Sequence, residues 1–93
     1  MEEEIEFEGR LSHEKTPDGF RVQGTITPIG SSKRCTGKFK KPPNFPLLVD
    51  SYGWSLWVDD VGKLRIAEIT GSDLVAGLPV AFSFNAELVE PAQ

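Results

Sequence analysis

Residues 80–88 read VAFSFNAEL, and this stretch decides the fold class. Apolar side chains occupy every second position, while small or polar side chains stand between them. An extended backbone sends successive side chains to opposite faces, so this alternation predicts a strand with one face buried and the other in water.

The same alternation recurs along most of the chain. It predicts further strands near residues 4–12, 20–27, 34–40, 52–58 and 64–69, separated by clusters of glycine and proline. In this scheme the aromatic core comprises Tyr52, Trp54, Phe82 and Phe84. We therefore predict an all-β fold, a small antiparallel barrel or sandwich of about six strands, either SH3-like or OB-like.

One short helical turn is predicted near residues 72–77. Ser72 has the side chain of a helix N-cap, and Gly77 has the conformational freedom needed to end the turn.

A chain of 93 residues is long enough for one domain and too short for two independent cores. We accordingly predict a single β domain over residues 1–93. Residues 1–4 are a candidate flexible acidic arm, and residues 91–93 form a short tail.

Charge is segregated along the sequence, although the net charge is only -4. Residues 1–14 hold six acids and one base, and residues 47–93 hold seven acids and two bases. Half of the ten basic residues lie within residues 33–41, a segment without any acid. Such separation favours function through charged surfaces.

Candidate binding residues follow from this distribution. Trp57 belongs to them because its phase is opposite to that of Trp54 and Leu56, which predicts an exposed indole suited to stacking. The full set consists of the basic residues Lys33, Arg34, Lys38, Lys40 and Lys41, the aromatic residue Trp57, and the acidic residues Glu4, Glu6 and Glu8.

The chain offers little for catalysis. His13 is its only histidine and Cys35 its only cysteine, and the sequence contains no nucleophile-elbow, phosphate-loop or dinucleotide-binding pattern. We therefore predict that the chain is not an enzyme and that it has no catalytic residue, no metal ligand and no cofactor.

The function predicted from these features is a non-enzymatic module, an adaptor or small inhibitor, that binds another protein through charged strand faces. The alternative is a nucleic-acid-binding barrel that uses the basic 33–41 segment together with Trp57. No apolar run approaches the ~18 residues of a membrane span, and the acidic start is opposite in charge to a signal peptide. A cytoplasmic location and no membrane partner are expected, and the oligomeric state is left open.

Overall fold

The computed structural model describes residues 4–29, 33–45 and 52–91. The predicted arm at residues 1–4 and the predicted tail at residues 91–93 therefore lie largely outside the described residues. Pro91 is described, and it pairs with Gly62 as the last residue of the final strand instead of belonging to a tail.

Six antiparallel strands make up the described structure. They are β1 (Ile5–His13), β2 (Thr16–Pro28), β3 (Arg34–Lys40), β4 (Trp54–Val58), β5 (Gly62–Val75) and β6 (Leu78–Pro91). The prediction of an all-β fold with about six strands is confirmed.

The strands close into a ring in the order β1-β2-β3-β6-β5-β4, so the barrel is observed and the sandwich is not. Strands β1, β2 and β3 are consecutive neighbours, and β4 returns to pair with β1, which is the arrangement of a Greek key. Six strands are one more than the five of an OB-fold.

Closure of the ring follows from the two pairings that join distant parts of the sequence. β1 pairs with β4 from Gly9↔Val58 to His13↔Trp54, and β3 pairs with β6 from Arg34↔Glu87 to Lys40↔Ala81. Each strand thereby gains a partner on both sides over part of its length, which removes most of the exposed edges that promote aggregation.

The core fills the inside of the ring with aromatic side chains. Phe39 is 1% exposed and lies at its centre, with ring centroids 5.6 Å from Phe82, 5.8 Å from Phe45 and 6.1 Å from Phe84. The other fully buried large side chains come from the five further strands and are Leu11, Val22, Leu56, Leu64 and Phe82. One continuous core therefore serves all six strands.

Gly24 allows two strands of the ring to approach closely. A Cβ atom at this position would lie 1.9 Å from the carbonyl oxygen of Lys38 and 2.7 Å from the Cα atom of Phe39. Because both neighbours are backbone atoms of β3, any side chain at position 24 would push β2 and β3 apart.

The helical turn predicted near residues 72–77 is wrong. β5 continues to Val75, and β6 starts at Leu78 after a turn of two residues. Ala76 and Gly77 both have positive φ, 53° and 81°, as a type I′ hairpin turn requires. A glycine with positive φ ends helices and makes tight hairpins equally well, and here the cross-strand pairing Val75↔Leu78 favours the hairpin.

Tyr52 is a second departure from the sequence prediction, since it is 78% exposed and not part of the core. Gly53, with φ of 87°, bends the chain between Tyr52 and the first residue of β4. The alternation of β4 therefore does not extend back to position 52.

Candidate functional site

The acidic and basic faces predicted from the sequence lie on one outer surface of the barrel. Glu6 of β1 is opposite Thr25 of β2, and Thr25 is in turn opposite Lys38 of β3. The two charged strands are thus separated by one uncharged position and by two interstrand spacings, about 10 Å. Opposite charges that are far apart in the sequence become neighbours in the fold.

A cleft of about 420 Å³ brings both charges together. Its lining includes Glu6 and Glu8 from the acidic strand and Lys40 from the basic strand, with Gln23 and Thr25 between them. A polyanion lying along β3 would therefore meet carboxylates about one Debye length away.

The basic 33–41 segment is also engaged by the barrel itself. Lys38 forms an ion pair with Asp73 of β5, and Arg34 lies opposite Glu87 of β6. The backbones of the two terminal lysines extend the sheet, since Lys33 accepts a hydrogen bond from the amide of Leu88 and the amide of Lys41 donates to Val80. Lys33, Arg34 and Lys40 are exposed, whereas Lys38 and Lys41 are partly buried.

Glu4, just before β1, and Glu6 on β1 are exposed, and Glu8 belongs to an ion-pair network. Arg21 donates to Asp59 at 2.6 Å and to Glu8 at 3.1 Å, and Gln23 donates to the second oxygen of Glu8. The hydrogen bond with Asp59, followed by that with Glu8, raises the pKa of Arg21 above its ordinary value. Glu8 thereby helps to hold β1, β2 and the β4–β5 turn together.

Trp57 is 47% exposed, as its phase predicts, but it does not lie beside the basic segment. It belongs to β4, which is three positions from β3 in the ring of six and hence on the opposite side of the barrel. Its neighbours are Arg10 on β1 and Lys63 on β5, each directly across from it, and the Lys63 ammonium lies 5.8 Å from the ring centroid. The structure thus places Trp57 away from the basic 33–41 segment and next to two other cations, Arg10 and Lys63.

A second cleft, of about 320 Å³, runs over the outer face of β2, β3, β6 and β5. Its wall is rich in hydroxyl and amide groups, which come from Thr25, Thr27, Thr36, Thr70, Ser83 and Asn85. Hydroxyl, amide and charged side chains therefore contribute to the walls of these two clefts.

Among the described residues, a group of exposed apolar side chains lies at the end of the β5–β6 hairpin, which the sequence prediction missed. Leu74 is 65% exposed, Val75 61%, Leu78 53% and Val80 45%. Beyond Gly71 and Ala81 the two strands pair mainly with each other, and the hairpin projects from the barrel. The signal in the sequence is a group of four large apolar residues around Gly77, which we call the hairpin tip (residues 74–80).

His13 and Cys35, the two groups considered for catalysis, are both buried. The Nε2 atom of His13 lies 2.8 Å from the carbonyl oxygen of Tyr52, its Nδ1 atom accepts the amide hydrogen of Lys15, and its ring packs against Trp54 at 4.7 Å. Burial raises the pKa of the Cys35 thiol above its ordinary value, which disfavours the reactive thiolate. Within residues 4–29, 33–45 and 52–91, no three His, Cys, Asp or Glu side chains are grouped as metal ligands.

The chain was compared with models of protein families, with curated proteins and with solved structures. None of them matches. The described residues include no helix with the length and apolar character needed to cross a membrane. Any assignment of function therefore depends on the surfaces described above.

Proposed function

We propose that this chain is a non-enzymatic protein-binding module that uses the hairpin tip as its main contact. The observation that carries the proposal is the exposure of four large apolar side chains on one projecting hairpin, with Val75, Leu78 and Val80 on one face and Leu74 on the other. Soluble proteins rarely expose adjacent large apolar side chains, and where they do, the patch commonly serves an interaction.

The free energy gained by burying these side chains supports binding through the hairpin tip. Complete burial of a leucine or valine side chain contributes about 1.5–3 kcal/mol, so covering side chains that are about half exposed contributes about 1 kcal/mol each. Four such contributions correspond to a factor of about a thousand in affinity. Charged faces of the barrel would then orient the partner and speed its association.

The occupant that fits a narrow, convex, apolar hairpin is an apolar cleft on a different protein. A second copy of this chain is less suitable, because the two clefts described above carry threonine, glutamate and lysine side chains in their walls. A hairpin tip seated in either of these clefts would meet charged side chains.

The double variant Leu74→Ser/Leu78→Ser tests this function. We expect it to fold with nearly unchanged stability, because both side chains are more than half exposed, and to bind the partner about thirtyfold more weakly. The matched control is Ile5→Ser/Val89→Ser, which alters two apolar side chains that are 46% and 42% exposed elsewhere on the barrel.

The partner is first captured by a photo-crosslinking residue at position 75, and its dissociation constant is then measured with purified proteins. The proposal requires that the crosslink maps to an apolar cleft and that only the hairpin variant loses affinity. Equal affinity of the hairpin variant and the wild type would contradict it. Sedimentation of the wild type as a dimer that the hairpin variant dissolves would identify a second copy as the occupant and would also overturn it.

The competing prediction, nucleic-acid binding by residues 33–41, has a separate test. An anisotropy titration with a single-stranded oligonucleotide at low and at moderate salt measures it, and a Lys33→Gln/Lys40→Gln variant shows whether the basic segment is responsible. No binding at low salt would exclude this alternative.

A further inference from the structure

The outer row formed by Arg10, Trp57 and Lys63 is a candidate for a second binding site. Trp57 lies on β4 between the two cations, one on each neighbouring strand. Among the described residues, neither Arg10 nor Lys63 has a carboxylate partner, and the guanidinium of Arg10 donates only to the carbonyl oxygen of Asp18. In a chain of net charge -4, two cations that form no ion pair with the described carboxylates thus lie beside a half-exposed indole.

The neighbourhood of the row limits the length of an anionic ligand. On the β2 side the next residue is Arg21, whose charge is already neutralised by Glu8 and Asp59. On the β6 side the next residue is Glu90, opposite Lys63. A long polyanion crossing the sheet would meet these carboxylates at both ends, so the ligand must confine its negative charge to the span between Arg10 and Lys63.

The distance between Arg10 and Lys63 matches the repeat of an extended peptide. Arg10 and Lys63 are two interstrand spacings apart, about 9.5 Å between backbones. A polyproline II helix rises about 3.1 Å per residue with three residues per turn, so side chains at i and i+3 share one face about 9.3 Å apart. Two acids at this spacing would reach both cations.

We propose that the Arg10–Trp57–Lys63 row binds an acidic polyproline-type segment of a partner protein with the pattern acid-Pro-Pro-acid. The two carboxylates pair with Arg10 and Lys63, and a proline ring between them packs on the exposed part of the Trp57 indole. Aromatic surfaces commonly bind polyproline-type peptides. Such a peptide is already extended before it binds, so binding costs little conformational entropy. The proposal rests on residues other than the hairpin tip and does not depend on the function proposed for it.

The test uses synthetic fluorescein-labelled peptides of about ten residues and the full chain. One peptide contains Glu-Pro-Pro-Glu, the second contains Gln-Pro-Pro-Gln, and the third contains Glu-Pro-Glu with the shorter spacing. We expect the first to bind about tenfold or more tightly than either of the others, and binding should weaken as salt increases. A single-stranded oligothymidylate is titrated in parallel.

Variants locate the site. Arg10→Gln/Lys63→Gln should reduce the affinity for the Glu-Pro-Pro-Glu peptide to that of the neutral peptide, and Trp57→Ala should weaken the binding of both peptides. Lys40→Gln, which removes an exposed cation on the opposite side of the barrel, should leave it unchanged. Circular dichroism confirms that each variant is folded.

Three results would overturn the proposal. The first is equal binding of the acidic and neutral peptides at low salt. The second is a loss of affinity in Lys40→Gln as large as that in the double variant, which would indicate attraction by overall charge. The third is tighter binding of the oligothymidylate than of the acidic peptide, which would assign the row to nucleic acid instead.

Discussion

Phe39→Ala is expected to lower the free energy of unfolding by about 3–5 kcal/mol. Phe39 is 1% exposed and packs against Phe45, Phe82 and Phe84, so its removal leaves a cavity at the centre of the only core among the described residues. Small domains have a total stability of about 5–15 kcal/mol, so a loss of this size takes a large part of it. Denaturant titration followed by tryptophan fluorescence measures the change.

Tyr52→Ala is the matched control, since it also removes an aromatic ring, but one that is 78% exposed. Its expected effect is within about 0.5 kcal/mol. If Phe39→Ala does not fold, Phe39→Leu, with an expected loss of about 1–1.5 kcal/mol, keeps the comparison measurable. Equal stabilities of the Phe39 and Tyr52 variants would show that the core is elsewhere.

Gly24→Ala is expected to cost about 3 kcal/mol, although it adds a single methyl group. The new Cβ atom would lie 1.9 Å from the Lys38 carbonyl oxygen, and that oxygen belongs to the backbone of the neighbouring strand. Relief of the clash therefore requires β2 and β3 to separate along part of the barrel wall. The change in unfolding free energy and the loss of amide protection in β3 report this separation.

Gly77→Ala provides the comparison for the glycine substitution. Its Cβ atom would meet nothing within 4 Å, but the residue has a φ of 81°. We expect a cost of about 1–2 kcal/mol from the backbone conformation alone. A Gly24→Ala variant that is more stable than Gly77→Ala would contradict the close approach of β2 and β3.

The strands could be predicted from the sequence because each carries its own alternation. In β1 and β6, for example, Phe7 and Phe84 are buried, while Glu6 and Asn85 on the opposite phase are exposed. The alternation determines which face of a strand is exposed to solvent, and the exposure of Trp57 follows from it. It does not fix where around the ring that face will be.

Ring position explains why only part of the candidate site was predictable. The acidic residues of β1 and the basic residues of β3 face outward as expected, but whether they are neighbours depends on β2 lying between them. The same ring order places Trp57 far from Lys38 and next to Lys63, a cation close in the sequence but outside the predicted set. Long-range pairing of this kind leaves no local trace.

The two local errors have conformational causes. At Gly53 a positive φ turns the chain, so the alternation that includes Trp54 does not continue to Tyr52. At Gly77 a positive φ suits either a helix end or a tight hairpin, and only the pairing of Val75 with Leu78 decides between them. The prediction of a helical turn therefore missed the hairpin tip, because a helix would not place these apolar residues at the end of two paired strands.

Segment-resolved hydrogen exchange of the free chain tests the central claim most directly, which is that a closed barrel presents a projecting hairpin tip to partners. The claim predicts slow exchange in β3 and in β4, the short strand that closes the ring between β1 and β5. It predicts faster exchange over residues 74–80 than in β3, because beyond the hydrogen bond from the Lys41 amide to Val80 this two-stranded end has no third strand among the described residues, and such an end is only marginally stable in water. Protection of residues 74–80 equal to that of β3, or exchange in β4 as fast as at the hairpin tip, would contradict it.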